Sequence, residues 1–258
     1  MAPTHAPEVS MFSFRLDGRA VLVTGAGRGL GRAVADGLNE LGATVYGTSR
    51  VPAEAEQIAE RYGTSPVVLD VTDIDGAAAV IQRLHAQGAG ISLLVNNAGV
   101  NVPQPAFEVT PEAWDQVHQL NAKGLFFLSQ TIAKQWAAEG IKGSIVNIGS
   151  QAGIVAIEDR VSYSSSKAAV IQLTRSMAFE WGHLGIRVNT VAPTFIRTEL
   201  TESTLSQPDF AATLLARIPL GRFGEPDDVV GAVAFLLGDA AGLITGQTIL
   251  VDGGYTIH

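Results

Sequence analysis

"RAVLVTGAGRGLGRAVADGLNELG", residues 19–42, passes from a strand-like run through a glycine turn into a helix. Residues 19–25 are short, apolar and β-branched, and from residue 29 to 42 the apolar positions recur at helical spacing. Glycines at 25, 27, 29 and 31 let the backbone turn tightly and approach a ligand closely. The helix that follows presents free N–H groups and the positive end of its dipole, which suits an anion such as a pyrophosphate. A glycine-rich turn says little alone, because glycine is frequent in any strand-to-helix turn. Its place after the first strand of a βαβ unit gives it weight as a dinucleotide site.

The alternation continues outward. "ATVYGTS" (43–49) reads as a strand and "AEAEQIAERYG" (53–63) as a helix. Then come "PVVLDV" (66–71), a helix over 75–87, "ISLLVNNAG" (91–99), "GSIVNIGS" (143–150), "IRVNTVAP" (186–193) and "QTILVDGG" (247–254). Strands that are apolar throughout and separated by helices belong in a parallel sheet covered on both faces. The pattern predicts an α/β, doubly wound, Rossmann-type parallel sheet of about seven strands with helices on both faces. With no repeat or linker, residues 14–258 form one dinucleotide-binding and catalytic domain behind a flexible tail at 1–13.

Composition narrows the function. Hydrophobic residues make up 47% of the 258 and charged residues 16%, as in a globular protein with a large apolar core. The net charge of −8 argues against nucleic acid or an anionic membrane as partner. Absence of cysteine excludes disulfides and thiol chemistry, and the five scattered histidines lack ligand spacing, so no metal is expected. No run is apolar enough to span a bilayer and the N-terminus lacks the form of a signal peptide, so a cytoplasmic location is expected.

"NIGSQAGIVAIEDRVSYSSSKAAV" (147–170) holds the reactive groups. Tyr163 and Lys167 lie about one helical turn apart, so both rise from one helix face. A phenol of pKa ~10 exchanges protons poorly near neutrality, and an adjacent ammonium is expected to lower that value. Ser150 closes a strand at the carboxyl edge of the sheet, where its hydroxyl can hydrogen-bond a reacting carbonyl oxygen. Taken without this context, Ser150 would be a strand-end cap, Asn121 a surface residue of one long helix over 111–139, and Asp70 the cap of the helix near Asp73.

With T-G-x-x-x-G-x-G at 24–31, "NNAG" at 96–99 and Tyr163-x-x-x-Lys167 in order, the chain resembles the short-chain dehydrogenase/reductase family from about Leu16 to Tyr255. The resemblance implies an NAD(P)-dependent oxidoreductase interconverting a secondary alcohol and a ketone. Tyr163 would be the general acid/base, with Ser150, Lys167 and Asn121 as its catalytic partners. Lys167 would also hold the nicotinamide ribose, and Asn121 would anchor a water that relays protons towards it. The cofactor would be held by Gly25, Arg28, Gly29, Leu30, Gly31, Ser49, Arg50, Asp70, Val71, Asn97, Ala98, Gly99, Pro193, Ile196 and Thr198. Asp70 and the Val71 backbone would meet the adenine, and "NNAG" would wall the adenosine ribose. Ala152, Ile157 and Phe195 are expected to line the substrate pocket. Thr194 stands where many members have glycine, which is expected to stiffen that loop, and residues 194–226 fit a mobile lid.

NAD-specific sites usually place a carboxylate after the second strand; here that position is Ser49. Arg50 follows, and Arg28 lies in the glycine loop, so both guanidinium groups are expected to converge on a 2′-phosphate, which favours NADP(H) over NAD(H). The substrate is a small carbonyl or alcohol compound, such as a sugar, polyol, hydroxy acid or small ketone. The alternatives are a 3-oxoacyl-thioester (acyl carrier protein) reductase and, in another class, a catalytically silent cofactor-sensing or scaffold protein. Family members usually associate through their long helices, so a homotetramer is expected.

Overall fold

In the computed structural model, which describes residues 14–257, seven strands form one sheet. They are β1 (Ala20–Val23), β2 (Thr44–Ser49), β3 (Val67–Val68), β4 (Ile91–Asn96), β5 (Ser144–Ile148), β6 (Arg187–Pro193) and β7 (Thr248–Val251). Every pairing is parallel and the order is β3-β2-β1-β4-β5-β6-β7. The chain winds outward from β1 to β3 and then returns to place β4 on the other side of β1. That reversal opens a crevice at the carboxyl ends of β1 and β4, where ligands of such sheets bind. The expected tail, 1–13, lies outside the described residues.

Alternation along the strands sorts the core into two layers. Val21, Val23, Leu93 and Val95 face α1 (Gly29–Glu40), α2 (Pro52–Tyr62) and α9 (Asp227–Leu237), where Val34, Leu38, Ile58, Val233 and Leu237 meet them. Leu22, Leu94 and Ile145 face the opposite way, towards Ile81 of α3 (Ile74–Ala86), Leu128 and Trp136 of α5 (Leu125–Glu139), and Val170 of α6 (Val161–Trp181). No helix among the described residues is long and apolar enough to cross a membrane.

Several elements end earlier than their apolar runs, because a polar side chain takes over the backbone. β3 was expected over 66–71, but Asp70 accepts from the Thr72 N–H at 2.9 Å and hydroxyl at 2.6 Å and turns the chain. Asp70 therefore does not cap α3; Asp73 does, accepting from Gly76 N–H at 3.0 Å. β7 stops before Asp252, whose carboxylate accepts from the N–H groups of Gly254 and Thr256, each at 2.9 Å. The expected single helix over 111–139 is α4 (Pro111–His118), a π-helical segment (Gln119–Gly124) and α5 in succession. Asn121 lies in that segment, and it is buried rather than superficial.

Trp136 is the largest fully enclosed side chain; its indole N–H donates to the Ile91 carbonyl at 2.7 Å, and Gly143, just ahead of β5, lies against its ring. A methyl at Gly143 would run into the indole, whereas one at Gly182 would meet nothing within 4 Å. Overpacking of this kind costs about 2–3 kcal/mol. Gly143→Ala should lower the melting temperature of the ligand-free protein by roughly 5–10 °C. Gly182→Ala, measured beside it by thermal melting, should leave it unchanged.

Candidate active site

The glycine loop leaves β1 at Thr24 and enters α1 at Gly29. Gly25 and Gly29 have φ of +66° and +52°, the left-handed region, so both turns need glycine. At Gly31 a methyl would collide with the Gly25 carbonyl and the Asn97 amide, so the helix meets the loop without clearance. Arg28, at the N-cap of α1, makes no side-chain cap, and the first turn has no acidic residue. The first turn of α1 therefore offers its leading N–H groups no capping side chain and no acidic residue of its own, as an anion-binding helix start requires. The loop fits a dinucleotide on these grounds. Thr198 faces it: a methyl at Gly29 would stand 3.5 Å from the Thr198 Cβ. Leu30 packs into the core beneath, and Ile196 is buried beside Gly224.

Thr24, the first residue of the glycine motif, pins this loop to β4. Its buried hydroxyl accepts from Asn97 N–H at 2.9 Å and Ala98 N–H at 3.0 Å, while Asn97 Nδ2 donates to the Thr24 carbonyl at 2.9 Å. "NNAG" is thus first a brace for the glycine loop. Asn96 ties β4 to its neighbours, donating to Ser129 Oγ and Asn147 Oδ1, each at 2.8 Å.

At the far end of the crevice lie Ser49, Arg50, Asp70 and Val71. The Thr72 hydroxyl and N–H hold the Asp70 carboxyl below its ordinary range, and Arg50 adds to this. Arg28, with 78% of its side chain exposed, pairs with Glu199 at 3.5 Å. In the ligand-free protein the two arginines thus stand near different carboxylates, Arg28 in an ion pair and Arg50 through its charge alone. Ser49 donates to Glu54 Oε2 at 2.6 Å, so a carboxylate that sequence position alone did not reveal sits at the end of β2.

The reactive groups gather at the ends of β4 and β5. Ser150 lies two residues past β5 with φ −165°, and its hydroxyl accepts from Ala152 N–H at 3.1 Å. Tyr163 is the third residue of α6 and hydrogen-bonds with Ser150. Lys167 is 5% exposed; its Nζ lies 5.7 Å from the Tyr163 ring centroid and donates to the Ile148 carbonyl at 2.8 Å. Gly99 separates Lys167 from Asn121: a methyl there would stand 3.7 Å from Lys167 Nζ and 3.3 Å from Asn121 Oδ1. Asn121 Oδ1 accepts from Val100 N–H at 2.8 Å, and its Nδ2 donates to the Val100 carbonyl at 2.9 Å and Ser166 Oγ at 3.0 Å.

The electrostatics correct one expectation. The Lys167 ammonium does not bring the phenol down. Burial pushes Tyr163 above its ordinary value, although part of its surface stays open, and the opposing pulls come from the Ser150 hydrogen bond and then from Arg160. Burial also lowers Lys167 to about 8. Arg160, at the N-cap of α6 beside Asp159 (φ +56°), is a neighbour that the sequence reading passed over.

A third apolar cluster joins the segment after β6 to the C-terminal residues. Leu214, Ile218, Phe223 and Tyr255 form its buried centre, with Val155 and Phe195 packed against them. Phe195 meets Tyr255 edge-on at 6.0 Å, and Ile157 is half-buried, but Ala152 is enclosed beneath Ser150. The segment expected as a lid contains two helices, α7 (Glu199–Leu205) and α8 (Pro208–Leu215). Thr194 does not free the loop after β6; its N–H donates to the Val251 carbonyl at 3.1 Å.

Known proteins match this arrangement over nearly its whole length. A family model described as enoyl-(acyl carrier protein) reductase matches residues 25–256. D-erythrulose reductase of Gallus gallus is 42% identical over 246 residues, covering 95% of this chain and 98% of the relative. L-xylulose reductase of Homo sapiens is 42% identical over 241 residues, covering 93% and 97%. A gluconate 5-dehydrogenase from Burkholderia cenocepacia, solved in complex with NADP and tartrate, superposes with a TM-score of 0.92 at 36% identity, covering 95% of this chain and 98% of that one. A parallel sheet of this order, matched end to end by oxidoreductases, has one assignment: the chain belongs to the short-chain dehydrogenase/reductase family and interconverts an alcohol and a ketone with a nicotinamide cofactor.

Proposed function

We propose that the protein interconverts a small sugar-like ketone and the corresponding polyol or hydroxy acid, with NADP(H) favoured over NAD(H). The observation that carries this reading is the grouping of Ser150, Tyr163 and Lys167 beside the uncapped start of α1. A second feature favours a polyhydroxylated substrate over an acyl thioester. Asn101 Oδ1, Gln151 Oε1 and Thr194 Oγ1 are buried without hydrogen-bond partners, and they follow the ends of β4, β5 and β6. Orphaned polar atoms at the carboxyl edge suit substrate hydroxyls, whereas a thioester chain would leave them unpaired. The sugar and polyol enzymes among the relatives support the same choice over the thioester reductase. A silent scaffold fits poorly with an intact Asn121, Ser150, Tyr163 and Lys167 set.

When bound, the nicotinamide supplies the hydride to the carbonyl carbon or takes it back. Tyr163 gives its proton to the carbonyl oxygen in reduction and receives it in oxidation. Ser150 Oγ accepts from Ala152 N–H, and its own hydrogen, directed at Tyr163 in the ligand-free site, turns to that oxygen. Lys167 holds the nicotinamide ribose and exchanges protons with a water anchored at Asn121. The side-chain amide of Asn121 is committed to Val100 and Ser166, so the anchor is the main chain of the π-helical segment, where i→i−4 bonding is interrupted. Residues 194–226 close over the substrate as a lid. Arg28 and Arg50 bind the 2′-phosphate, for which Arg28 gives up Glu199.

The test is a panel of ketoses, polyols, hydroxy acids and acyl thioesters followed by nicotinamide absorbance. Sugar-like ketones should react and acyl-carrier thioesters should not. Tyr163→Phe should lose about a thousandfold in turnover while cofactor affinity stays within threefold. Turnover close to that of the parent would sink the acid/base role. Lys167→Ala should lose both turnover and cofactor affinity. In the parent, cofactor affinity should fall as pH rises through about 8, where the buried ammonium loses its proton. That step should vanish in Lys167→Ala, as titration calorimetry at several pH values would read.

Steady-state kinetics should give the higher kcat/KM with NADP(H), and Arg50→Asp should reverse the order; a parent that prefers NAD(H) would reject the phosphate reading. Phe179 of α6 and Trp114 of α4 stay exposed at 89% and 38%, consistent with helix faces that pack against other copies. Light scattering should return the mass of four chains of 27.0 kDa, and a monomer mass would reject the tetramer.

A further inference from the structure

We propose that Glu54 decides how strongly this protein discriminates between a 2′-phosphate and a 2′-hydroxyl on the adenosine ribose, and that its carboxylate holds the preference for NADP(H) down. The inference rests on the nicotinamide reading above and concerns the same site.

β2 ends in Ser49, a residue without charge. The fold returns a carboxylate to that place from the next helix. Glu54 is the third residue of α2, and its Oε2 accepts the Ser49 hydroxyl hydrogen at 2.6 Å. Ser49 Oγ in turn accepts from Val51 N–H at 3.1 Å. The single hydrogen of Ser49 is therefore engaged, and it reaches an incoming phosphate only by leaving Glu54. The same oxygen borders the glycine loop: a methyl at Gly27 would stand 3.4 Å from Glu54 Oε2. The carboxylate thus lies between the middle of that loop and the end of β2. A dinucleotide whose pyrophosphate rests on the start of α1 must carry its adenosine ribose past this point. The first turn of α2 favours a negative charge there, so the helix holds the acid in place.

The surrounding cations do not cancel it. Arg28 pairs with Glu199 at 3.5 Å, and Arg50 lies near Asp70. A 2′-phosphate must draw Arg28 from Glu199 and compete with Asp70 for the charge of Arg50 while meeting Glu54 as a like charge. A 2′-hydroxyl has only to donate a hydrogen bond to Glu54. Discrimination is consequently a contest between two arginines and one acid, and removing the acid alone should tilt it.

The experiment is titration calorimetry of the ligand-free protein with NADP⁺, NAD⁺ and adenosine 2′-monophosphate. The variants are Glu54→Gln and Ser49→Ala. Glutamine keeps a carbonyl for the Ser49 hydroxyl and loses only the charge. In Glu54→Gln, NADP⁺ and adenosine 2′-monophosphate should bind about tenfold tighter and NAD⁺ no tighter, with an unchanged melting temperature. Ser49→Ala removes the hydrogen bond and keeps the charge, so NADP⁺ should not gain. A ratio of NADP⁺ to NAD⁺ affinity that stays within twofold of the parent in Glu54→Gln would overturn the proposal and leave Glu54 a helix-start residue only. Equal gains in both variants would overturn it too, since they would trace to local structure rather than charge. The parent's own preference tests the NADP(H) reading separately, because Glu54 acts on the ratio whichever cofactor leads.

Discussion

The Thr24 hydroxyl sits fully enclosed at the end of β1 and accepts two backbone N–H groups from β4's continuation, Asn97 and Ala98. Asn97 answers by donating to the Thr24 and Gly25 carbonyls at 2.9 and 3.2 Å. This exchange crosses the point where the sheet reverses its strand order, and the glycine loop hangs from it. Losing the hydroxyl would strand two N–H groups, each costing about 1–3 kcal/mol when buried and unpaired. The greater loss would be positional. Gly31 leaves no room between α1 and the Gly25 carbonyl, so any drift of the loop moves the open N-terminus of α1 with it.

A second fixing point serves the reactive side. The three residues between Tyr163 and Lys167 are serines, and two of them tie α6 to its neighbour. Ser166 receives Asn121 Nδ2 at 3.0 Å and donates to the Tyr163 carbonyl at 2.7 Å. Ser165 Oγ lies within hydrogen-bond reach of the Val161 and Ser162 carbonyls and, at 3.0 Å, of His118 Nε2. Trp114 stacks on His118 at 4.3 Å and covers it. The start of α6 is therefore clamped to α4 and the π-helical segment, and the phenol and ammonium inherit that rigidity.

Much of this was legible in the chain itself. Apolar strands separated by amphipathic helices, the glycine loop and the Tyr163–Lys167 spacing each reflect a period or a steric need that sequence expresses directly. What escaped were effects of third parties. Asn121 reads as a surface residue until Val100 and Ser166 satisfy its amide in the interior. Ser49 reads as the absence of a carboxylate until α2 folds Glu54 back onto it. Thr24 reads only as the first letter of the glycine motif and Arg160 carries no spacing signal, and what they bond to exists only once β4 and α6 pack beside them. Strand ends were overrun for a related reason: Asp70 and Asp252 compete for backbone N–H groups that an apolar run would otherwise assign to the sheet.

The electrostatic state of the site follows from enclosure more than from pairing. Burial acts in opposite directions on Tyr163 and Lys167, raising one and lowering the other, because in each case it penalises the charged form. The phenol consequently holds its proton through neutrality, which makes the ligand-free site a proton donor and suits it to reduction. Oxidation needs the phenolate, and what favours that form here is the Ser150 hydrogen bond first and Arg160 second. Lys167 donates to the Ile148 carbonyl with its Nζ over the Tyr163 ring, 5.7 Å from the centroid, and it is not among the groups that act on the phenol here.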